Sequence, residues 1–195
     1  MSLGARGACG LYYSYQVRDR SGKIIVPFRR RTAHSFVIAY ARLLFLKMVA
    51  PVNQSITDTG SSSRTIWSFT GADVTIAAGT STAGLVVGTG TNAVALADVA
   101  LQTRIAHGTS AGTLDYGAST LAAVASDSTS TRLQLTRVFA NSSGGTITVR
   151  ELGVYAVMKD TGATSRNMCL VRDLATITLT NGDQLTLNYI LQTTA

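Results

Sequence analysis

Charged and chemically reactive side chains are scarce in this 195-residue sequence. Charged residues make up 14% of the chain, Glu151 is its only glutamate, and the histidines are limited to His34 and His107. Neither histidine has a second metal-ligating residue at short spacing, and the sequence contains no HExxH, CxxC, P-loop or GxSxG pattern. We therefore predict that the protein is not an enzyme and holds no metal ion.

Cysteines and long apolar runs are also few. Cys9 and Cys169 have neither the spacing of metal ligands nor the density of a disulfide framework, so we expect reduced thiols. The most apolar run, 36–49, is interrupted by Arg42 and Lys47 and is shorter than the roughly 20 residues that a membrane-spanning helix needs. The first residues lack the apolar segment of a secretory signal. These absences predict a soluble protein without a membrane partner.

The basic charge is concentrated at one end of the chain. Residues 1–50 have a net charge of +8, whereas residues 51–195 have a net charge of −1. The densest basic cluster is Arg29, Arg30 and Arg31. Such a cluster can be a solvated helix entrance, bind an acidic partner or an acid of its own chain, or contact phosphates through a salt-sensitive, sequence-independent interaction. We predict partner or intrachain pairing at these arginines, with nucleic acid as the alternative.

Small residues (Ala, Gly, Ser and Thr) are abundant in the rest of the sequence. A surface so low in charge is unusual for a free monomer, which normally keeps charged groups for solubility. A chain that buries much of its outside against copies of itself tolerates such a surface. The composition therefore favours self-assembly over a simple Ser- and Thr-rich β protein.

Strand-like patterns dominate the chain beyond residue 80. In residues 133–157 two runs of alternating apolar residues flank the turn 141–145, which predicts a hairpin. Asn181-Gly182 predicts a second hairpin with a two-residue turn. Short strands at this spacing indicate a mainly β fold, an antiparallel β-sandwich that is jelly-roll-like. Glu151, inside the first predicted hairpin, should be a structural carboxylate bonded to a turn or to an arginine.

The sequence pattern of the N-terminal third of the chain predicts a hairpin followed by one α-helix. The hairpin should occupy residues 11–28. Its second strand should stop at Pro27, which cannot donate a ladder hydrogen bond. The helix should begin after a cap at Thr32 or Ser35 and end at Ala50-Pro51. Its buried stripe should consist of Phe36, Val37, Tyr40, Leu43, Leu44 and Met48. The loop-like composition of residues 51–64 then divides the chain into a basic hairpin-helix arm, 1–64, and a sandwich domain, 65–195.

A glycine pattern next to an apolar run suggests a cofactor loop. Gly88-x-Gly90-x-x-Ala93 matches the loose dinucleotide fingerprint. No βαβ unit follows it, and no acid stands at the position that would contact the ribose. We therefore predict a glycine-rich loop that leaves a buried strand and binds no cofactor.

A carbohydrate-binding receptor module is a further functional class to consider. It would need an exposed aromatic platform, and Trp67, Tyr116 and Tyr155 are the candidates. Each of them is more typical of a core position in a β protein. The sequence therefore ranks this function below assembly.

Several short motifs follow one another in a definite order along the chain. They are Gly88–Thr91, Asp98–Ile105, Val138–Gly144, Arg150–Tyr155 and Cys169–Asp173, with Gly22–Ile25 and His34–Val37 near the N-terminus. This order resembles a group of small virion structural proteins of tailed bacteriophages. That group shows a GTG-T step, a D-x-x-L-x-x-x-I step, a threonine-rich hairpin, an E-[VIL]-G-[LV]-Y strand, an R-D strand and an N-G hairpin.

The resemblance implies a β-sandwich building block of a phage particle, in a tail, neck, baseplate or capsid-associated position. It implies a homo-oligomer that also docks on other virion proteins, synthesised in the cytoplasm of the host bacterium. It supplies no catalytic, cofactor-binding or metal-binding residue.

Overall fold

The computed structural model describes residues 8–33, 36–48 and 53–194, and in this part of the chain it contains eleven strands and one helix. The elements are β1 Ala8–Arg18, β2 Ile24–Thr32, α1 Ile38–Met48, β3 Gln54–Thr57, β4 Ser63–Ile66, β5 Gly84–Gly88, β6 Asp115–Leu121, β7 Ala125–Ser126, β8 Ser130–Ala140, β9 Ile147–Lys159, β10 Ser165–Leu179 and β11 Gln184–Thr194.

Two antiparallel sheets pack against each other. Sheet A has the strand order β2-β1-β11-β8-β6, with β7 also paired to β8, and sheet B has the order β10-β9-β5. The hydroxyl of Tyr116 on β6 donates to the carbonyl of Ile105 at 2.7 Å, beside sheet B, while its ring packs edge-on against Phe139 of sheet A. Val17 and Leu187 of sheet A and Leu85 and Leu152 of sheet B are fully buried in the core. The predicted mainly β, antiparallel sandwich is confirmed.

The N-terminal hairpin is built into sheet A. β1 lies between β2 and β11 and pairs with β11 from Ala8↔Thr194 to Arg18↔Gln184. The predicted arm and the predicted sandwich domain therefore share one sheet. β2 also continues through Pro27 to Thr32, because Pro27 lies at a shift of register on an edge strand, where no partner needs its missing N–H.

The helix begins later than predicted, at Ile38, and only part of the predicted stripe is buried. Val37 and Leu43 are buried and Phe36 and Tyr40 are partly buried against the core, as expected, but Leu44 and Met48 are exposed. Ala39 and Leu46 are buried in addition. The helix packs against β10 and β3, and the face turned toward these strands is offset from the most apolar stripe. Thr32 belongs to β2 and does not cap the helix. The other predicted cap, Ser35, and the predicted stop at Ala50-Pro51 lie outside the described residues.

The two predicted hairpins, at 133–157 and at Asn181-Gly182, are both wrong. β8 pairs with β11, β6 and β7, whereas β9 pairs with β10 and β5. β10 and β11 likewise belong to different sheets. Each predicted turn is therefore a crossover that carries the chain from one sheet to the other. Alternation of apolar and polar residues shows which face of a strand is buried, but it does not identify the strand's partner. Two strands that face each other across the core therefore have the same pattern as two strands paired in one sheet.

The two crossovers are fastened to each other at one end of the sandwich by Asn141. Its buried side-chain amide donates to the carbonyls of Gly145 and Leu179, both at 2.8 Å. Its backbone N–H donates to the carbonyl of Asp183 at 2.9 Å, and its carbonyl accepts from Gly182 at 2.7 Å. A single asparagine thus satisfies backbone groups of both crossovers.

Two hairpins, β3–β4 and β9–β10, end in nearly the same turn. Each begins Asp-Thr-Gly, at residues 58–60 and 160–162, and in each the aspartate accepts two backbone N–H groups from its own turn. The other carboxylate oxygen pairs with an arginine six residues later, Arg64 at 2.6 Å and Arg166 at 2.8 Å. The N–H of Thr161 donates to the carbonyl of Thr65, so the β3–β4 hairpin lies against the tip of sheet B.

Candidate functional site

The three consecutive arginines lie on β2, the edge strand of sheet A. They do not form a helix entrance, since the strand runs to Thr32 and the helix begins at Ile38. Eight of the nine residues of β2 are exposed, including the apolar Ile24, Ile25 and Phe28. The strand therefore presents apolar and basic side chains to solvent along its whole length.

The open edge of β2 also exposes backbone groups. The N–H of Ala33 donates to the carbonyl of Leu11 at 2.9 Å. Because pairing alternates along antiparallel strands, the N–H and C=O of Arg29 and Arg31 point toward β1, and those of Arg30 and Thr32 point away from the sheet. Another chain could extend sheet A at this edge.

The guanidinium groups of two of these arginines pack on tyrosine rings of β1. Arg30 lies 3.4 Å from the ring centroid of Tyr12, and Arg31 lies 5.4 Å from that of Tyr15. Arg31 also donates to the Tyr15 hydroxyl at 3.4 Å. Such contacts hold a cation in place without neutralising it.

No carboxylate of the described residues forms an ion pair with Arg29, Arg30 or Arg31. The intrachain contacts found for this cluster are with tyrosines and not with acids. The positive charge of the β2 edge is therefore available to a partner.

The densest charge network of the molecule is buried and centres on Glu151. This fully buried carboxylate accepts hydrogen bonds from the N–H groups of Gly90, Gln102 and Thr103 at 2.9–3.0 Å. Arg172 donates to it twice, at 2.6 and 3.0 Å. Burial raises the pKa of Glu151, but the backbone donors and Arg172 outweigh burial and hold the pKa below its ordinary value. Glu151 is a structural carboxylate bonded to a loop and to an arginine, as its sequence context indicates.

Gly88 and Gly90 belong to this network and not to a dinucleotide site. A Cβ atom on Gly90 would lie 2.5 Å from a carboxylate oxygen of Glu151, and one on Gly88 would lie 2.5 Å from the carbonyl of Thr103. β5, which precedes the loop, pairs antiparallel with β9. The glycines are explained by the close approach of the loop to the carboxylate, and the antiparallel pairing does not fit a βαβ unit.

Arg172 extends the network to the loop 91–98. Its guanidinium donates to Asp98 at 2.7 Å and to the carbonyls of Asn92 and Ala93. The loop is thereby fixed, although its apolar tip, Leu96, is 68% exposed. The separate sequence motifs around Gly88, Asp98, Glu151 and Arg172 meet in this one cluster, which no local pattern could have indicated.

A second buried arginine, Arg137 on β8, is held by carbonyl groups. It donates to the carbonyls of Thr80, Ala83, Leu85 and Gly117 at 2.6–2.9 Å. Its side chain is almost completely buried and lies near the ring of Tyr116. Burial lowers the pKa of Arg137. This contact attaches the segment before β5 to sheet A, and no local sequence pattern indicates it.

The cysteines are free thiols with opposite exposure, since Cys9 is exposed and Cys169 is buried. Burial raises the pKa of the Cys169 thiol to about 12. We expect one thiol per chain to react with an aromatic disulfide reagent at pH 8 in the native protein, and two after unfolding in guanidinium chloride. Cys9→Ser should abolish the native reaction. Two reactive thiols in the native protein would contradict the burial of Cys169.

The groups usually sought in a catalytic or metal site are dispersed. In the described residues no cluster of three or more His, Cys, Asp or Glu could hold a metal ion. The Nδ1 atom of His107 accepts the backbone N–H of Tyr116 at 3.2 Å. His34 lies outside the described residues. Residues 8–33, 36–48 and 53–194 contain no helix long and apolar enough to cross a membrane.

The three aromatic residues considered for carbohydrate binding differ in solvent exposure. Tyr116 and Tyr155 are core residues, as predicted, and burial raises the pKa of both hydroxyls. Trp67, expected in the core, is 45% exposed next to Phe69, which is 73% exposed. The expectation fails because Trp67 follows β4, which belongs to the small hairpin outside the sandwich, so this segment has solvent on one side.

Comparison of the chain with family models, with curated proteins and with solved structures finds no match in any of the three.

Proposed function

We propose that this chain is a structural subunit of a tailed-bacteriophage virion that acts by self-association and by docking on other virion proteins. The observation that carries the proposal is the edge strand β2, with its open backbone groups and its exposed Ile25 and Phe28. An uncovered edge of this kind is a site for addition of another chain. The motif resemblance and the low charge of the sequence support the same function.

The charge of the β2 edge defines the surface that should cover it. Two β2 edges paired with each other would bring six arginines together, and like charges on neighbouring strands repel. An acidic surface, on a different face of a neighbouring copy or on another virion protein, avoids this repulsion. The fixed loop around Leu96 offers a second contact that is already ordered before binding.

Native mass spectrometry and light scattering of the purified protein test the assembly function. We expect oligomers whose stability decreases as salt increases, and we expect the protein in purified phage particles. Replacing Arg29, Arg30 and Arg31 together with glutamate should shift the population to monomers. The same reversal at Arg20 and Lys23, in the β1–β2 turn, is the control for basic charge near the edge strand and should have little effect. A protein that stays monomeric at high concentration and is absent from particles would refute the proposal.

The same arginine cluster supports nucleic-acid binding as a second candidate function. The supporting observation is the lack of an acidic partner for Arg29–Arg31 among the described residues. Binding of duplex DNA that weakens steeply with salt, and that the triple glutamate variant loses, would favour this function over protein docking. DNA affinity that is equal in the variant and the parent protein would exclude it.

A further inference from the structure

Trp67 and Phe69 form an exposed aromatic ledge at the tip of sheet B, away from the β2 edge. Residues 67–70 form a turn in which the N–H of Thr70 donates to the carbonyl of Trp67 at 3.1 Å. Trp67 is anchored by its own N–H, which donates to the carbonyl of Lys159 at 3.2 Å. Ser68, between the two aromatic residues, is buried, whereas Trp67 is 45% and Phe69 is 73% exposed.

The ledge borders an open depression of about 480 Å³. Its apolar lining includes Trp67, Phe69 and Val157, and its polar groups come from Asp73, Lys159 and Ser165. The volume is within the range of small-molecule sites in proteins. Backbone hydrogen bonds hold both sides of the depression: Asp73 and Val157 form a β-bridge, and the N–H of Lys159 donates to the hydroxyl of Thr70.

The polar groups around the ledge retain hydrogen-bonding capacity. One carboxylate oxygen of Asp73 accepts from the N–H and hydroxyl of Thr75, and the other makes no hydrogen bond among the described residues. The hydrogen bonds from Thr75 lower the pKa of Asp73, so the carboxylate is charged at neutral pH. The ammonium group of Lys159 forms no ion pair with a described carboxylate.

We infer that this depression binds a saccharide, with one pyranose ring against the face of Trp67 and its hydroxyl groups directed to Asp73 and Lys159. A sugar ring combines a face of C–H groups, which an aromatic ring attracts, with a rim of hydroxyls that need donors and acceptors. A purely apolar anchor would leave the open carboxylate oxygen of Asp73 and the ammonium group of Lys159 without hydrogen-bond partners, whereas the hydroxyls of a sugar are both donors and acceptors. The site is independent of the β2 edge, and saccharide binding does not require assembly.

The fluorescence of Trp67 reports on this site alone, because the chain contains no other tryptophan. The probes are oligosaccharides of glucose, of N-acetylglucosamine, of mannose and of a uronic acid, each titrated separately into the purified protein. We expect at least one of them to shift the emission saturably, with a dissociation constant in the millimolar to micromolar range. No change with any of the four probes would overturn the inference.

Variants distinguish a sugar site from a docking surface. Calorimetry with the active oligosaccharide should show affinity reduced at least about tenfold by Trp67→Ala, and reduced also by Asp73→Asn. Val124→Ala, which removes an exposed apolar side chain between β6 and β7, is the control and should keep the parent affinity. If Trp67→Ala leaves sugar affinity unchanged but abolishes oligomers, the ledge is an assembly contact and the inference is wrong. Loss of sugar binding with intact oligomers supports it without bearing on the assembly function.

Discussion

Glu151→Ala is expected to lower the free energy of unfolding by about 3–5 kcal/mol, the cost typical of removing one member of a buried ion pair. The substitution leaves the buried Arg172 with Asp98 as its remaining carboxylate partner. It also leaves the N–H groups of Gly90, Gln102 and Thr103 without their acceptor. Urea unfolding followed by circular dichroism measures the loss.

Three further variants assign this loss to the network. Arg150→Ala changes the exposed neighbour on the same strand and should alter stability by no more than about 0.5 kcal/mol. Combining Glu151→Ala with Arg172→Met should cost less than the sum of the single changes, because the unpaired cation is removed as well. Glu151→Gln keeps the shape and should be milder than alanine. If Glu151→Ala proved as stable as the parent protein, Glu151 would not organise the loop.

The acid dependence of stability follows from the lowered pKa of Glu151. A carboxyl group whose pKa is lower in the folded than in the unfolded state stabilises the fold when it is ionised. Its contribution is present above the ordinary value of 4.5 and is lost as the pH falls through the lower folded value. The stability difference between the parent protein and Glu151→Gln should therefore shrink as the pH falls below 4.5. A difference that grows with acidification would contradict this assignment.

Arg137→Lys should cost about 2–4 kcal/mol, although it conserves the charge, because each hydrogen bond from a charged group to a buried partner contributes about 1.5–3 kcal/mol. A planar guanidinium reaches carbonyls on several sides, whereas an ammonium presents its donors from one point. Lysine would leave some of the carbonyls of Thr80, Ala83, Leu85 and Gly117 without a donor. Urea unfolding gives the stability, and hydrogen exchange should show faster exchange in residues 80–88.

The matched control for this variant is Arg132→Lys, on the same strand but exposed. It should leave both the free energy of unfolding and the exchange of residues 80–88 unchanged. Equal behaviour of the two lysine variants would show that the carbonyl contacts of Arg137 do not hold the segment before β5.

Local patterns predicted most of the strands of this fold but not their partners. Residues 133–157 do form two strands around a turn, yet the strands belong to different sheets. The preference of Asn-Gly for tight turns is satisfied at residues 180–183, where the N–H of Asp183 donates to the carbonyl of Thr180 at 3.1 Å. The residues of a turn determine its backbone conformation. Whether the turn forms a hairpin or a crossover depends on which sheet offers an unpaired edge to the next strand.

The surfaces and the buried network differ in how far they could be predicted. The role of Glu151 follows from its isolation among arginine and apolar residues, but its contacts with Gly90 and Arg172 connect positions 61 and 21 residues away. Arg29–Arg31 were identified by charge alone, and their place on an edge strand depends on β2 continuing through Pro27. The sequence predicts a core position for Trp67 because large apolar side chains are usually buried. Its exposure depends on the position of the β3–β4 hairpin, which the sequence does not show.

The position of β1 constrains the order in which the chain can fold. β1 precedes every other described strand in the chain, and one of its two partners in sheet A, β11, is the last of them. During synthesis the β1–β2 hairpin must therefore wait, with one edge of β1 uncovered, until β11 has been synthesised. Pairing between such distant segments slows folding and prolongs the exposure of unpaired, aggregation-prone strand edges. Because like charges on neighbouring strands repel, Arg29, Arg30 and Arg31 disfavour pairing between the unfinished hairpins of neighbouring nascent chains.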